Sequence, residues 1–154
     1  MSIRELNRND YNELAKFLSI FAAPNLPVET YQKKFKIWWD LNTHCEDSDL
    51  LGWVIVDENE KPGNQIKGFM GNIPRKYKIE GKIIKTANAT SWFVNPEYRK
   101  LGVSSKLMKK LRMEGKKYNW ELIRWNCNFD NLTANNLYLK IAKKLDWNTF
   151  EMKI

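Results

Sequence analysis

Hydrophobic and polar positions along the chain predict a definite series of strands and helices. Ile3-Arg4-Glu5-Leu6 alternates as a short strand does, and Leu14, Phe17, Leu18 and Phe21 then recur at helical spacing behind Asn9 or Asp10 as a cap. That helix is expected to end before Pro24, because a residue preceding proline is driven out of the helical region. Pro27 opens a second helix with Tyr31, Phe35, Trp38 and Trp39 on one face, followed by a polar loop, Asn42 to Asp49, that holds His44 and Cys45. Leu50 to Asp57 is a continuous apolar run of strand type. Gln65 to Ile73 and Lys82 to Val94 read as a long antiparallel pair turned at Glu80-Gly81, kinked near Pro74. Beyond Asn95-Pro96 the period becomes helical, with Leu101, Leu107, Met108 and Leu111 on one face, lysines largely on another, and a stop near Gly115. Glu121 to Cys127 then reads as a strand, Asn131 to Leu145 as a helix with Ala134, Leu137, Tyr138, Ile141 and Leu145 inward, and Thr149 to Ile154 as a last strand.

The resulting order, β-α-α-β-β-β-α-β-α-β, predicts an α/β (α+β) fold: a mixed, largely antiparallel six-stranded sheet flanked by helices. Neither a repeat nor a long linker divides the chain, so residues 1–154 are expected to form a single domain. Composition agrees, since 43% hydrophobic and 13% aromatic residues in 154 are enough for a core and too many for a disordered chain. The 2 cysteines and 1 histidine cannot form a disulfide framework or a four-ligand zinc site, and no signal peptide or spanning helix is evident. A cytoplasmic protein with no metal and no membrane contact is therefore expected. The charge of +8 favours anionic ligands, among them nucleic acid and phosphorylated cofactors, without choosing between them.

The choice is made by the stretch from Trp92 to Ser105, where a β-rich run gives way to a turn and then a helix. Successive backbone N–H groups around Gly102 can face one anion, the helix N-terminus adds partial positive charge, and Arg99 and Lys100 add full charges. These residues resemble the pyrophosphate loop of the GNAT superfamily of N-acetyltransferases, Val-x-Pro-x-Tyr-Arg-x-x-Gly-x-Gly/Ala, through Val94, Pro96, Tyr98, Arg99 and Gly102. A second signature of that superfamily, Asn-x-x-Ala-x-x-Leu-Tyr-x-Lys, is met by Asn131, Ala134, Leu137, Tyr138 and Lys140. The chain departs from the pattern at Ser104, which replaces Gly or Ala, at Ile141-Ala142-Lys143, which replaces x-Gly-Phe, and at a C-terminus with room for one final strand instead of two.

What the resemblance implies is an acetyl-CoA-dependent N-acetyltransferase in which a primary amine attacks the thioester directly. The cofactor would be held by the backbone of Trp92, Phe93 and Val94, by Arg99, Lys100, Leu101, Gly102, Val103, Ser104 and Ser105, and by Asn131 on the last helix. Tyr138 would protonate the departing thiolate, and a backbone N–H near Val94 would stabilise the oxyanion. The strand from Thr86 to Val94 offers no carboxylate as general base, leaving a water relayed by Thr90, Ser91 or His44. An exposed Trp39 would border the acceptor, which would be a small-molecule or protein amine, and a homodimer could complete the acceptor wall that the short C-terminus leaves out. Two other readings remain: a basic nucleic-acid-binding domain, and a GNAT-like domain that binds CoA without catalysis.

Overall fold

The computed structural model describes residues 1–117, 125 and 127–144. Two compact units are distinguished, Met1–Arg124 and Trp125–Ile154. In the first, β1 (Ser2–Glu5), β2 (Gly52–Val56), β3 (Ile66–Ile79) and β4 (Lys82–Val94) pair antiparallel in the order β1-β2-β3-β4. Helices α1 (Tyr11–Phe21) and α2 (Val28–Phe35) lie between β1 and β2, and α3 (Val103–Lys117) follows β4. The expected strands at 121–127 and 149–154, and the expected end of the last helix at Leu145, fall outside the described residues in whole or in most part.

Asp10 holds the cap position of α1, as the sequence pattern suggests, and a further cap lies one turn earlier. A 3-10 turn at Arg8–Asp10 precedes the helix, and Asn7 accepts from the Asn9 amide while Asp10 accepts from the Asn7 amide, forming a capping box. Asp10 also receives both guanidinium nitrogens of Arg4 at 2.7 Å, which ties the helix start to β1. Glu13 of α1 then accepts from the Ile66 amide at 2.6 Å and fixes the helix to the head of β3.

A π-helical turn, Lys36–Asp40, continues α2 and changes which tryptophan points inward. The wider turn rotates Trp39 into the core, where it is 1% exposed and donates its indole N–H to the Asn72 carbonyl at 2.7 Å. Trp38 is the more accessible of the pair, so the expectation of an exposed Trp39 beside the acceptor is incorrect.

β3 runs through Pro74 without a break. Asn72, Pro74 and Lys76 turn their polar backbone atoms away from β4, so the N–H that proline lacks would have faced the free edge. Where β2 no longer covers that edge, side chains do: Trp39 donates to the Asn72 carbonyl, Asn42 to the Pro74 carbonyl at 2.9 Å, and the Lys76 amide donates to His44 Nδ1 at 2.9 Å. The hairpin closes at Glu80-Gly81, both with positive φ (49° and 81°), as a two-residue primed turn requires.

Alternation along β2 and β3 divides the core between the two faces of the sheet. Val54, Val56 and Phe69 pack with Leu14, Phe17, Phe35 and Trp39 under α1 and α2. Trp53, Ile55, Met70 and Val94 pack with Val103, Leu107 and Leu111 of α3. Gly115 lies buried in the last described turn of α3, close to the expected stop, and Leu101 is 55% exposed ahead of the helix instead of forming part of its apolar stripe. In the second unit α4 spans Leu132–Tyr138 and is shorter than the pattern predicts: Ala134, Leu137 and Tyr138 are half-buried, whereas Ile141 is 50% exposed and lies past the helix end.

Candidate functional site

β4 loses its regular pairing at Ser91 and Trp92, just ahead of Val94, near which the oxyanion donor is expected. Phe93 lies opposite Phe69 and Thr90 opposite Gly71, so Ser91 and Trp92 together face Met70, and Ser91 takes a left-handed φ of 46°. A bulge of this kind bends the strand and redirects the backbone beyond it. The Asn95 amide donates to the Lys67 carbonyl at 2.9 Å, which makes Val94, opposite Gly68, a position whose N–H and C=O face away from β3. Trp92 and Phe93 are half-buried and Val94 is buried.

Asn95 then caps a 3-10 turn, Pro96–Leu101, by accepting from the Glu97 amide at 3.1 Å. Gly102 follows with φ 68°, and a Cβ built there meets nothing within 4 Å, so the glycine serves the left-handed turn and leaves open space above it. Val103 is buried and anchors the first turn of α3, while Ser104 is half-buried and Ser105 exposed. The amides of Val103, Ser104 and Ser105 precede the first helical acceptor, and the Lys106 amide returns to the Gly102 carbonyl at 3.2 Å. The outcome is a helix N-terminus whose first amides lie ahead of any intrahelical acceptor, with nothing among the described residues within 4 Å of a Cβ at the glycine that precedes it.

Arg99 is used differently from a free phosphate ligand. Its Nε donates to the Val94 carbonyl at 2.9 Å, and its guanidinium lies 5.2 Å from the centre of the Phe93 ring, so it braces the loop against β4. Lys100 and Leu101 lie within the 3-10 turn, Leu101 with its side chain in solvent.

Sequence reasoning missed the underside of this loop. Tyr98 donates its hydroxyl to Asp57 at 3.3 Å, while Lys67 lies 5.7 Å from the centre of the Tyr98 ring. Burial, the negative charge of Asp57 and this hydrogen bond all push the Tyr98 phenol up, and backbone and side-chain bonds to Asp57 hold that carboxyl below its ordinary range. A lysine within an apolar run gives no signal in sequence beyond its break in the pattern.

In the second unit, Asn131 is itself the helix cap, accepting from the Ala134 amide at 3.2 Å. Tyr138 packs edge-on against Trp125 with ring centres 5.2 Å apart. Burial, with a smaller contribution from Cys127, raises its phenol to about 12, so it keeps its proton at neutral pH.

His44 Nδ1 is engaged as an acceptor by the Lys76 amide, which gives this residue a structural role at the hairpin base. Burial raises the Cys45 thiol, the reverse of what a nucleophile needs, and Cys127 is half-buried outside any described strand. A cavity of about 330 Å³ lies between the end of β1, the capping turn and the loop before β2, with Glu5, Arg8, Asp49 and Glu114 in its wall, and it shares no lining residue with the Gly102 loop. Among the described residues there is no cluster suited to a metal ion and no helix long and apolar enough to cross a membrane.

Solved structures of similar architecture include the ribosomal-protein-alanine N-acetyltransferase of Brucella melitensis biovar Abortus 2308, at 18% identity and TM-score 0.67, with 100% of each chain covered. The aminoglycoside 6'-N-acetyltransferase AAC(6')-Ih of Acinetobacter baumannii gives 13% and 0.68, with 99% of this chain and 97% of that chain covered. AAC(6')-Iy, solved with the bisubstrate analogue CoA-S-monomethyl-acetylneamine, gives 14% and 0.72 over the same shares. At these identities the likeness is one of fold. A search of curated proteins finds no match. The acetyltransferase (GNAT) family matches residues 11–142, which takes in both the Gly102 loop and α4. The chain belongs to the acetyltransferase (GNAT) family.

Proposed function

We propose that the protein is an acetyl-CoA-dependent N-acetyltransferase, built as one cofactor-binding domain, in which a primary amine attacks the thioester directly. The observation that carries this reading is the junction of β4 and α3. A strand whose Val94 N–H and C=O face away from β3 leads into a left-handed Gly102 and a helix start whose first amides lie ahead of any intrahelical acceptor. Such donors, with the positive end of the helix, suit a pyrophosphate. The space over Gly102, where a Cβ would meet nothing, fits close approach of that group. When bound, acetyl-CoA supplies an activated acetyl group and a thiolate leaving group.

In this reading the amides of Val103, Ser104 and Ser105 hold the phosphates, with the Ser104 and Ser105 hydroxyls as further donors. Arg99 and Lys100 contribute positive potential, Arg99 from its braced position. The backbone of Trp92 to Val94 accepts the extended arm of the cofactor as a strand substitute, and the Val94 N–H donates to the developing oxyanion. Asn131 contributes its side-chain amide, since its carbonyl oxygen is used in the cap. Tyr138, protonated at neutral pH, is the acid for the thiolate. The amine acceptor is a small molecule or a protein N-terminus or lysine, and the fold neighbours include enzymes named for each kind, a ribosomal-protein alanine and an aminoglycoside. The cysteine usage is in keeping with a cytosolic protein.

Isothermal titration with acetyl-CoA tests the reading directly. Micromolar to submillimolar binding is expected, and no binding at millimolar cofactor would exclude it. Release of thiol in the presence of a panel of amines then separates an active enzyme from a domain that binds CoA without transferring the acetyl group.

A further inference from the structure

We propose that Lys67 is a positioning residue that holds the phosphate loop in its binding geometry by gripping Tyr98 from below. The inference rests on the cofactor reading above for its effect on acetyl-CoA, but its structural half stands on the loop alone. Ile55 pairs with Gly68 and Val56 with Ile66, so Lys67 has no partner in β2 and is the extra residue of a bulge in β3. Bulges re-aim side chains, and this one brings the Lys67 ammonium within 5.7 Å of the Tyr98 ring centre. Lys67 is only 6% exposed, a place where an ammonium is unfavourable unless paired. Its Nζ donates to the Asn64 carbonyl at 2.8 Å and pairs with Glu60 at 3.3 Å, joining the loop after β2 to the same point. From the other side Asp57, in that loop, accepts the Tyr98 hydroxyl at 3.3 Å.

Tyr98 is thus held at its ring by a cation and at its hydroxyl by a carboxylate, one helical turn ahead of Gly102 and the amides of α3. Packing alone does not call for a lysine there. A methionine would fill the same volume, and replacing a buried ion pair by an apolar side chain is often neutral or stabilising. What methionine cannot supply is the attraction to the ring face and the bond to Asn64. The charge therefore fixes the loop, and fixing it in advance spares the ordering that binding would otherwise require.

The test compares Lys67→Met and Lys67→Arg with the unmodified protein. Without any cofactor, amide hydrogen exchange in Tyr98 to Ser105 is expected to quicken about tenfold or more in Lys67→Met, with protection in β2 unchanged. With acetyl-CoA the KM is expected to rise about tenfold while kcat stays within about threefold, and Lys67→Arg should recover most of both losses. Unchanged exchange in the loop of folded Lys67→Met would overturn the proposal, as would a fall in kcat with no change in KM. If the unmodified protein fails to bind acetyl-CoA while the exchange result holds, the cofactor reading fails and the positioning of the loop stands.

Discussion

The two faces of the sheet are built for different ends. The α1 and α2 face is thick and aromatic, with Phe35 and Trp39 stacked 5.2 Å apart and Tyr11, Trp38 and Phe69 around them. The α3 face is mostly aliphatic, with Val103, Leu107 and Leu111 packed on Ile55, Met70 and Val94, and its outer end carries the Gly102 loop proposed to bind the cofactor. The contrast teaches that one side of a sheet can be given over to aromatic packing while the other carries a helix start, the feature on which the proposed function rests.

The largest expected effect breaks the aromatic face. Trp39→Ala removes a side chain 1% exposed and leaves the Asn72 carbonyl without its 2.7 Å donor, so a loss of about 3–5 kcal/mol in urea unfolding is expected. If the division of labour is correct, acetyl-CoA affinity of the folded fraction changes little. Parallel loss of affinity, measured by titration below the unfolding range, would show that the two faces are coupled.

Gly102→Glu attacks the other face. It forces a side chain into a left-handed φ of 68° and places a negative charge at the helix N-terminus. Acetyl-CoA binding is expected to weaken by about a hundredfold or more. Because a Cβ at Gly102 meets nothing within 4 Å, the melting temperature should fall only by the strain of one residue. Retained affinity in the folded variant would show that the phosphates lie elsewhere.

Tyr138→Phe keeps the ring against Trp125 and removes only the hydroxyl. A group that protonates the thiolate matters in the transition state more than in the cofactor complex. Acetyl-CoA affinity should stay within a few fold while single-turnover transfer slows by up to about a hundredfold. Transfer at the unmodified rate would return Tyr138 to a purely structural role.

Much of this arrangement is legible in the sequence because it is local. Strand alternation from Leu50, the Glu80-Gly81 turn and the sequence from Val94 to Gly102 each state their geometry within a few residues. The features that were not legible depend on irregular backbone or on distant partners. The π-turn at Lys36–Asp40 decides between Trp38 and Trp39, and no residue in it announces a widened helix. The bulge at Lys67 turns a lysine inward toward a tyrosine that follows in the chain only after the whole hairpin. Asp10 holds the cap position of α1 as expected, but its carboxylate bonds Arg4 and the Asn7 amide instead of the first turn of that helix, a choice made by Arg4 on β1.

That last choice gives the smallest expected effect, and its sign can be worked out. Burial pushes the Asp10 carboxyl up, but the bonds from Arg4 and from the Asn7 amide outweigh it, and the net result lies below the ordinary carboxylate range. A carboxyl whose folded-state pKa is depressed contributes stability above its unfolded value, about 3.9, and loses it as pH falls through the folded value. Asp10→Asn retains an acceptor for the Asn7 amide but not the charge that pairs with Arg4. Since Arg4 is 41% exposed at its side chain, solvent screening holds the expected loss to about 1 kcal/mol at pH 7. The difference between the two proteins should narrow as pH drops below about 4, because protonated Asp10 resembles the asparagine. Urea unfolding at several pH values reads it directly. A gap that persists undiminished at pH 2 would mean that the start of α1 is held by the shape of its cap, with the charge on Asp10 contributing nothing to the α1 and α2 face of the sheet.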